Sequence, residues 1–453
     1  MSSKAQQVKT LTPVQLSEIF TSDLVEQLSQ SREESSPFQR IRQDAWNTFD
    51  IMPLPSKKLE EWRRTDISKV PFDEFEVGTL NPVRCQNPPS PPEDISKDSI
   101  LIYSCDGNLQ KLSGAEELKK QGVIISTWQD ALKSHEDLAS EILQNPLVRW
   151  ENGIFEAMNG AFLNMGIVIY IPRNVRLTRP VQNWLYFTEP RRAYFPKITI
   201  IAESGAELTY VENINAPLMH NPLLINGVTE IIVKENASVN FARIQNLEDN
   251  AYYIDNGRSK IWDDGQLYHF QANMGAGLTK TKFESTLVGK NSYAKLDGIC
   301  FASQNQHVDQ NTMQVHEAPY SYSNLSYNNV VTDKAHSVYR GMIRADENAQ
   351  KIDAYQNNKN LVLSDTAKAD SIPGLEILTD DLSCSHGATV GQIDPEQMYY
   401  LLSRGITKED AKQLIVSGFL ENIVQNLPDE DMKLLVSDII EGKILNELRS
   451  HHE

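Results

Sequence analysis

The spacing of hydrophobic residues changes twice along this chain of 453 residues. In roughly the first 75 residues they recur at helical intervals, as at Leu16, Ile19 and Phe20. From about residue 166 to residue 378, almost every segment is a short apolar run closed by a polar turn. Helical spacing then returns near the C-terminus. The pattern predicts a mainly β core between two helical regions.

The polar turns of the β region resemble one another. Each is a charged or Asn/Gly corner followed by a small residue and a new strand, at irregular intervals. Repeats of strand and corner favour a stacked β-solenoid, with a β-sandwich as the alternative. Because each coil of a solenoid pairs only with its neighbours, its ends need caps, and the terminal helices could serve as caps. The corners start at Glu203, Lys234, Gly289, Asp333 and Asp346.

Shifts in composition divide the chain into four predicted regions. Residues 81–92 contain five prolines, which is typical of a linker. Asp394 followed by Pro395 combines an N-cap with proline at the first helical position. We therefore expect an N-terminal helical domain over residues 1–75, a linker with a small mixed α/β segment over 76–145, a β core over 146–392 and a C-terminal helical domain over 393–453.

The helices predicted after residue 392 carry more apolar residues than one short terminal hairpin would bury. Leu401, Leu414 and Ile440 are examples. Two interpretations stay open at this point. The apolar faces pack on the end of the solenoid, or they dock a partner protein.

The charge balance narrows the class of partner. The chain has 43 Lys and Arg against 61 Asp and Glu, a formal charge of −18, which argues against nucleic acid or an anionic membrane. No run of apolar residues is long enough to span a bilayer, and the first residues lack the apolar core of a secretory signal. The four cysteines show no disulfide-like spacing, so we expect a cytoplasmic protein. They are Cys85, Cys105, Cys300 and Cys384.

Common enzyme signatures are missing from the sequence. No phosphate loop of the form G-x-x-x-x-G-K-[ST] occurs, so we expect no nucleotide to be bound by this chain. Asp and Glu are numerous enough for the acid–base pair of a carbohydrate-active β-helix enzyme, but their order singles out no pair. Cys300 and the scattered histidines are expected to be core or surface residues. These histidines are His220, His269, His307, His316 and His336.

Cys384 and His386 form the most suggestive pair of chemical groups. Side chains at i and i+2 leave the same face of an extended strand, so both could reach one metal or one partner surface. Thiolate and neutral imidazole are ligands that suit zinc, copper and iron–sulfur chemistry. Two ligands do not close a site. Either other residues of the fold join them, or a second protein completes the set.

The sequence around this pair resembles a known family. Residues 383–405, read as Ser-Cys-Ser-His-Gly-Ala-Thr-Val-Gly-Gln-Ile-Asp-Pro and onward to Gly405, are similar to the C-terminal signature of the SufB/SufD family of iron–sulfur cluster assembly. The residues of this motif resemble those of the SufD branch of the family. A second element, Glu60-Glu61-Trp62-Arg63 with Thr65, also resembles that branch, although Arg64 stands where the branch has an aromatic residue.

The resemblance implies a fold and two partners. The fold is a right-handed parallel β-helix flanked by N-terminal and C-terminal helical domains. Family members form a heterodimer of one SufD-like with one SufB-like chain, and a SufC-like ABC-type ATPase docks on the C-terminal helices. That ATPase would account both for the missing phosphate loop and for the surplus apolar helix faces. A homodimer of the isolated chain is also allowed.

The resemblance also implies a role for the Cys/His pair. His386, with Cys384 as its neighbour, would belong to a transient iron or Fe–S site shared with the SufB-like chain. The chain would act as a non-enzymatic scaffold that supports iron entry, and a reduced flavin is associated with the whole complex. Two alternatives stay open: a carbohydrate-active β-helix enzyme, and an inert structural dimerisation module.

Overall fold

Successive strands of the β region alternate between two sheets. The computed structural model describes residues 13–78, 99–216, 222–428 and 430–449. One sheet has eleven strands in the order β20-β18-β16-β14-β12-β10-β8-β5-β4, with β1 and β7 at its side; the other has ten, in the order β21-β19-β17-β15-β13-β11-β9-β6-β2-β3. The strands are β1 Glu76–Val77, β2 Ile100–Cys105, β3 Asn108–Leu112, β4 Ile124–Thr127, β5 Met165–Ile171, β6 Val181–Tyr186, β7 Arg192–Tyr194, β8 Pro196–Ala202, β9 Glu207–Asn215, β10 Leu223–Val233, β11 Ser238–Asn246, β12 Ala251–Ile261, β13 Gln266–Asn273, β14 Leu278–Leu287, β15 Tyr293–Ala302, β16 His307–His316, β17 Tyr322–Val331, β18 His336–Ala345, β19 Asp353–Val362, β20 Lys368–Ile377 and β21 Ser383–Gly391.

This alternation makes the core a parallel β-solenoid. Each coil gives one strand to each sheet and pairs in parallel register with the coils before and after it, as β10 does with β12 from Leu223↔Ala251 to Val233↔Ile261. Antiparallel pairing occurs in the described sheets only at the N-terminal end, between β2 and β3 and between β4 and β5. The predicted solenoid is therefore confirmed, and the alternative sandwich is wrong.

The predicted polar corners turn the chain from one sheet to the other. Asn236, Asn291 and Asp333 sit in these corners with positive φ angles of 57°, 57° and 55°. Asn and Asp adopt this left-handed conformation more readily than other residues with a side chain. The corner sequences thus fix where each strand ends.

The N-terminal and C-terminal helices lie on the outer faces of the two sheets. Phe20 and Phe49 from the N-terminal helices pack around Phe162, at the end of the helix Ile154–Phe162, and around Phe195 between β7 and β8, with ring centroids between 5.5 and 6.2 Å apart. None of the helices in the described part of the chain is long and apolar enough to cross a membrane. The helices are α1 Pro13–Ile19, α2 Ser22–Ser31, α3 Ser36–Ile51, α4 Ala115–Lys120, α5 Trp128–Ser134, α6 Glu136–Gln144, α7 Ile154–Phe162, α8 Pro395–Ser403, α9 Lys408–Val424 and α10 Glu430–Arg449.

Helix α8 begins where the sequence predicts, directly after Asp394. Asp394 and Thr407 cap α8 and α9, and their side chains accept hydrogen bonds from the backbone N–H groups of Glu396 and Asp410. Helix α3 begins at Ser36, with Ser35 as its N-cap and Pro37 in its first turn. The predicted proline-rich linker at residues 81–92 lies outside the described residues.

A buried ionic cluster ties the two sheets together inside the solenoid. The Arg243 guanidinium donates to the Glu212 carboxylate at 2.7 Å, to the Asp255 carboxylate at 2.6 Å and to the Thr229 hydroxyl at 2.7 Å. Burial disfavours the charged guanidinium, but Asp255 and Glu212 outweigh that effect and raise the pKa of Arg243. Burial also raises the pKa of Asp255. The cluster links strands β9 and β11 to strands β10 and β12.

The two ends of the solenoid differ. At the N-terminal end, Leu118 and Val123 are buried against Ile102 and Ile169, so the segment around α4 caps the interior. At the C-terminal end, β20 and β21 are the last strands of their sheets, and Val390 is 53% exposed. A cap formed by the C-terminal helices was the wrong prediction. These helices pack instead along the outer face of the ten-stranded sheet, through Val416, Leu420, Val436 and Ile440.

Candidate functional site

Cys384 and His386 both lie on β21, the last strand of the ten-stranded sheet. β21 pairs with β19 so that Cys384 is opposite Ala354 and His386 is opposite Gln356. Ala354 and Gln356 are buried whereas Tyr355 between them is exposed, so this register position points into the solenoid. The predicted pair therefore shares one face of a strand, and that face looks into the open end of the β core.

The two side chains differ in exposure. His386 is exposed, whereas Cys384 is half-buried and carries a free thiol. Burial, and after it the charge of Asp353, raises the pKa of the Cys384 thiol. A thiol must lose its proton to bind metal, so Cys384 needs a nearby cation to become a good ligand at neutral pH.

The described residues do not complete a metal site by themselves. No group of three or more His, Cys, Asp or Glu side chains in this part of the chain is arranged to hold a metal ion. The interpretation in which other described residues of this fold close the site around Cys384 and His386 therefore lacks support. The pair has the composition of half a site at an open end.

The last coil presents unpaired strand edges and apolar side chains. β20 and β21 each have a partner strand on one side only. An edge of this kind offers a row of free N–H and C=O groups to another chain, and natural proteins usually cover or blunt it. The apolar side chains exposed around this edge are Leu375, Ile377, Leu378 and Val390. This surface, formed by β20, β21 and these four side chains, is called the open end below.

A strap formed by residues 60–65 runs along the outer face of the eleven-stranded sheet to the last coil. Its Arg64 guanidinium donates to the Asp370 carboxylate of β20 at 3.1 Å. The Thr65 hydroxyl bonds the carboxylate of Asp309, which the Lys280 ammonium also contacts at 2.8 Å. The remaining ion pairs of the strap join Glu61 to Lys282 at 3.1 Å and Glu60 to Arg340 at 3.0 Å.

Arg64 gives the strap its contact with the last coil. It anchors the strap to the terminal strand β20 through Asp370. The strap crosses from β14 to β20 and holds the successive coils in line. Sequence reasoning recognised this element but gave no sign of where it packs.

The scattered histidines are structural, as expected for those that are described. His269 stacks between Phe241 and Phe283, and burial lowers its pKa to about 3. His316 lies 2.7 Å from the hydroxyls of both Ser321 and Ser323, and burial lowers its pKa to about 4. His307 contacts Thr65 and His336 contacts Asp370, both within the strap region, and His220 lies outside the described residues.

Cys300 and Cys105 differ in their chemical state. Cys300 is buried, and burial raises the pKa of its thiol to about 12, so it is the inert core residue that was expected. Cys105 is in a disulfide, against the expectation from cysteine spacing. Spacing along the chain does not reveal which Cα atoms the fold brings within bonding range.

A second surface lies on the C-terminal helices. An open groove of about 760 Å³ runs between α8 and α9, lined by Tyr400, Leu401, Leu414 and Phe419 among others. Leu414 is 53% exposed, and Tyr399 beside the groove is 75% exposed. One face of the C-terminal helices therefore packs on the outer face of the ten-stranded sheet rather than on the end of the solenoid, and another apolar face stays uncovered.

Comparison with known proteins now adds to this geometry. Residues 186–419 match the family described as "SUF system FeS cluster assembly, SufBD core domain", and residues 15–183 match "SufBD protein N-terminal region". The chain belongs to the SufBD family. The predicted resemblance to this family is confirmed, and the family is that of SUF-system iron–sulfur cluster assembly.

Named relatives agree along nearly the whole chain. The "Iron-sulfur cluster assembly protein SufD" of Bacillus subtilis is 28% identical over 427 residues, which cover 93% of this chain and 97% of the relative. The "Iron-sulfur cluster assembly SufBD family protein SSP1857" of Staphylococcus saprophyticus is 28% identical over 445 residues, covering 94% of each chain. A likeness of this extent includes the β core and the helices on both sides of it.

Sequence reasoning missed the residue beneath His386. Gln356 lies one coil inward in register with His386 and is fully buried. The two positions are 30 residues apart, and nothing in the linear sequence pairs them. Only the register of β19 against β21 does so.

Proposed function

We propose that this chain is a non-enzymatic scaffold subunit of the SUF machinery. It pairs through its open end with a SufB-like protein and contributes His386, with Cys384 beside it, to a transient iron or nascent Fe–S site. The observation that carries the proposal is the placement of a thiol and an imidazole on the inward face of an uncapped last coil. A scaffold of this kind needs only half of the ligands, because the partner supplies the rest.

The ligand chemistry fits a transient site. Imidazole nitrogen and cysteine thiolate both bind iron, and a site with only two ligands from one chain releases its metal more readily than a closed one. Both ligands must be unprotonated, so metal binding at this site weakens as the pH falls. Iron is the cargo of this site, and we assign the chain a part in iron entry.

The groove between α8 and α9 is assigned to the ATPase partner. A SufC-like ABC ATPase would bind ATP, since this chain has no phosphate loop of its own. ATP binding would favour one arrangement of the C-terminal helices and so shift the population of the SufB-like interface between two states. The proposal places the complex in the cytoplasm. It assigns no residue of this chain to the reduced flavin expected for the whole complex.

Co-purification tests these partners. The full-length chain, tagged and expressed with the SUF genes of its own genome, should retain a SufB-like protein and an ABC ATPase that mass spectrometry identifies. The double variant L378D/V390D at the open end should lose the SufB-like protein and keep the ATPase. Recovery of the chain alone or only as a homodimer would support the inert-module alternative. Release of sugars from pectin-like substrates would support the carbohydrate-active alternative.

A further inference from the structure

Gln356 is a buried glutamine whose amide lacks a partner in the described protein. Its side chain on β19 is 0% exposed, and neither Oε1 nor Nε2 makes a hydrogen bond there. A buried amide without hydrogen bonds is unfavourable, and native proteins keep few of them. Such a residue directly beneath the last coil points to a partner that moves or arrives during function.

Within its own sheet, the register gives Gln356 one polar in-register neighbour. Gln356 lies between Leu325 of β17 on the inner side and His386 of β21 on the outer side. Leu325 is apolar and offers no hydrogen bond. Because adjacent strands are about 4.8 Å apart, in-register side chains stack directly over one another.

The opposite sheet holds the amide in this place. A Cβ added at Gly341 of β18 would collide with Nε2, Cδ and Oε1 of Gln356. The space that the Gln356 amide occupies therefore depends on glycine at position 341. Cys384 has no equivalent support, since the residue in register beneath it is Ala354.

We propose that Gln356 is a positioning residue for His386, which deepens and rests on the function proposed above. The Gln356 Oε1 accepts a hydrogen bond from one protonated ring nitrogen of His386. This bond selects one imidazole tautomer and leaves the other ring nitrogen free to bind iron. Metal-binding histidines commonly have such a partner on the second nitrogen, and its loss weakens metal binding about 10-fold to 100-fold.

The substitution Gln356→Leu tests the proposal against a matched control, Gln310→Leu. Gln310 is also a buried inward-facing glutamine with neither amide atom hydrogen-bonded, but it lies on β16, away from β21. In the co-purified complex, Q356L should weaken Fe²⁺ binding about 10-fold to 100-fold, whereas Q310L should bind Fe²⁺ like the wild type. Equal Fe²⁺ affinities for Q356L and Q310L would overturn the proposal.

A second readout separates positioning from a structural role. Both leucine variants remove a buried amide whose Nε2 has no hydrogen-bond partner in the described protein, so both should keep or raise the thermal midpoint. Only Q356L should change the ¹⁵N shifts of the His386 ring in histidine-labelled chain, from one tautomer to a mixture. If Q356L fails to fold, Gly341→Ala, which displaces the amide but retains it, should give the same mixture. An unchanged His386 spectrum in the folded variant would refute the proposal.

His386→Ala distinguishes failure of this inference from failure of the proposed function. If H386A leaves Fe²⁺ binding unchanged, the metal site at the open end is itself wrong. If H386A loses Fe²⁺ while Q356L retains wild-type affinity, the site stands and only the role of Gln356 is refuted. Loss in both variants, with Q310L unaffected, supports both claims.

Discussion

Cys384 and His386 share one face of β21, yet they are not equally ready to bind metal. A neutral imidazole binds as it stands, whereas a thiol must first lose its proton. Burial raises the pKa of Cys384, and the neighbouring Asp353 charge acts in the same direction. At the residue scale, the proposed site therefore has His386 as its principal ligand, with Cys384 contributing where a metal or a cationic partner lowers its pKa.

This difference predicts how Fe²⁺ affinity depends on pH. Below the raised pKa of Cys384 its thiolate population grows about tenfold per pH unit, so wild-type affinity should rise with pH through the neutral range. Cys384→Ser should reduce the increase in Fe²⁺ affinity by up to a factor of about ten per pH unit. Titration of the purified complex with Fe²⁺ between pH 6.5 and 8.5 checks this. Parallel curves for the two proteins would exclude Cys384 as a ligand.

His316 carries a prediction about stability rather than metal. Burial lowers its pKa to about 4 in the folded protein, below the value of about 6.5 expected for an unfolded histidine. As the pH falls from about 6.5 to about 4, His316 binds a proton in the unfolded chain but stays neutral in the folded chain. Stability of up to about 3 kcal/mol should therefore be lost over that window.

The measurement is the thermal midpoint as a function of pH. His316→Gln should start lower at pH 7.5 than the wild type and fall less steeply toward pH 5. His386→Gln, which replaces an exposed histidine, is the control and should keep the wild-type slope. If the thermal midpoint of H316Q falls with pH as steeply as that of the wild type, His316 does not cause the loss of stability at acidic pH.

At the scale of elements, the solenoid is held by ties that cross its strands. Arg243 joins the two sheets from inside through Glu212 and Asp255, and the strap joins coils β14 to β20 from outside. Buried ion pairs are weak sources of net stability, but breaking one leaves a charge without compensation. These ties therefore add side-chain connections to coils whose register the parallel backbone ladders already set.

Arg243→Met should destabilise the protein by about 3–5 kcal/mol, because it leaves the Glu212 and Asp255 carboxylates buried together without a cation. Arg258→Met on the same strand as Asp255 is the control. Its ion pair with Glu284 at 3.4 Å is partly exposed, so its loss should cost about 1 kcal/mol or less. Urea unfolding of both variants measures the difference. Similar losses of unfolding free energy in the two variants would show that the Arg243 cluster does not stabilise the contact between the two sheets.

At the scale of the whole molecule, the asymmetry of the two ends organises the protein. The N-terminal end is closed by Leu118 and Val123, whereas the C-terminal end keeps exposed strand edges next to Cys384 and His386. The helices that follow β21 leave the end open and carry their own groove on the side. One surface proposed to bind a partner thus lies at the end of the solenoid, and the other lies on its flank.

The groove between α8 and α9 should be separable from the open end. Leu414→Asp places a charge in the groove at an exposed position, so folding should be unaffected while the ATPase is lost from the co-purified complex. Leu109→Asp, at an exposed leucine on β3, is the matched control and should retain the ATPase. Quantitative mass spectrometry of the two complexes gives the result. If L414D retains the ATPase, the groove between α8 and α9 is not the binding site of the ATPase.

Much of this architecture could be predicted from the sequence, but little of its long-range geometry could. The repeated corners at Asn236 and Asp333 were enough to predict a solenoid, because corner chemistry is local. The i, i+2 spacing was enough to place Cys384 and His386 on one face. The open end, the path of the strap and the position of Gln356 depend on register between strands some 30 residues apart, which no local pattern encodes.

The most direct measurement is the Fe–S cluster content of the reconstituted complex with and without His386. The full-length chain is purified with its partners, supplied anaerobically with Fe²⁺ and sulfide, and assayed by visible absorbance and iron analysis. His386→Ala should lower the cluster yield about tenfold or more, while His135→Ala, remote from β21 at the end of α5, should match the wild type. A wild-type yield in H386A would contradict the claim that the open end of this solenoid is half of the assembly site.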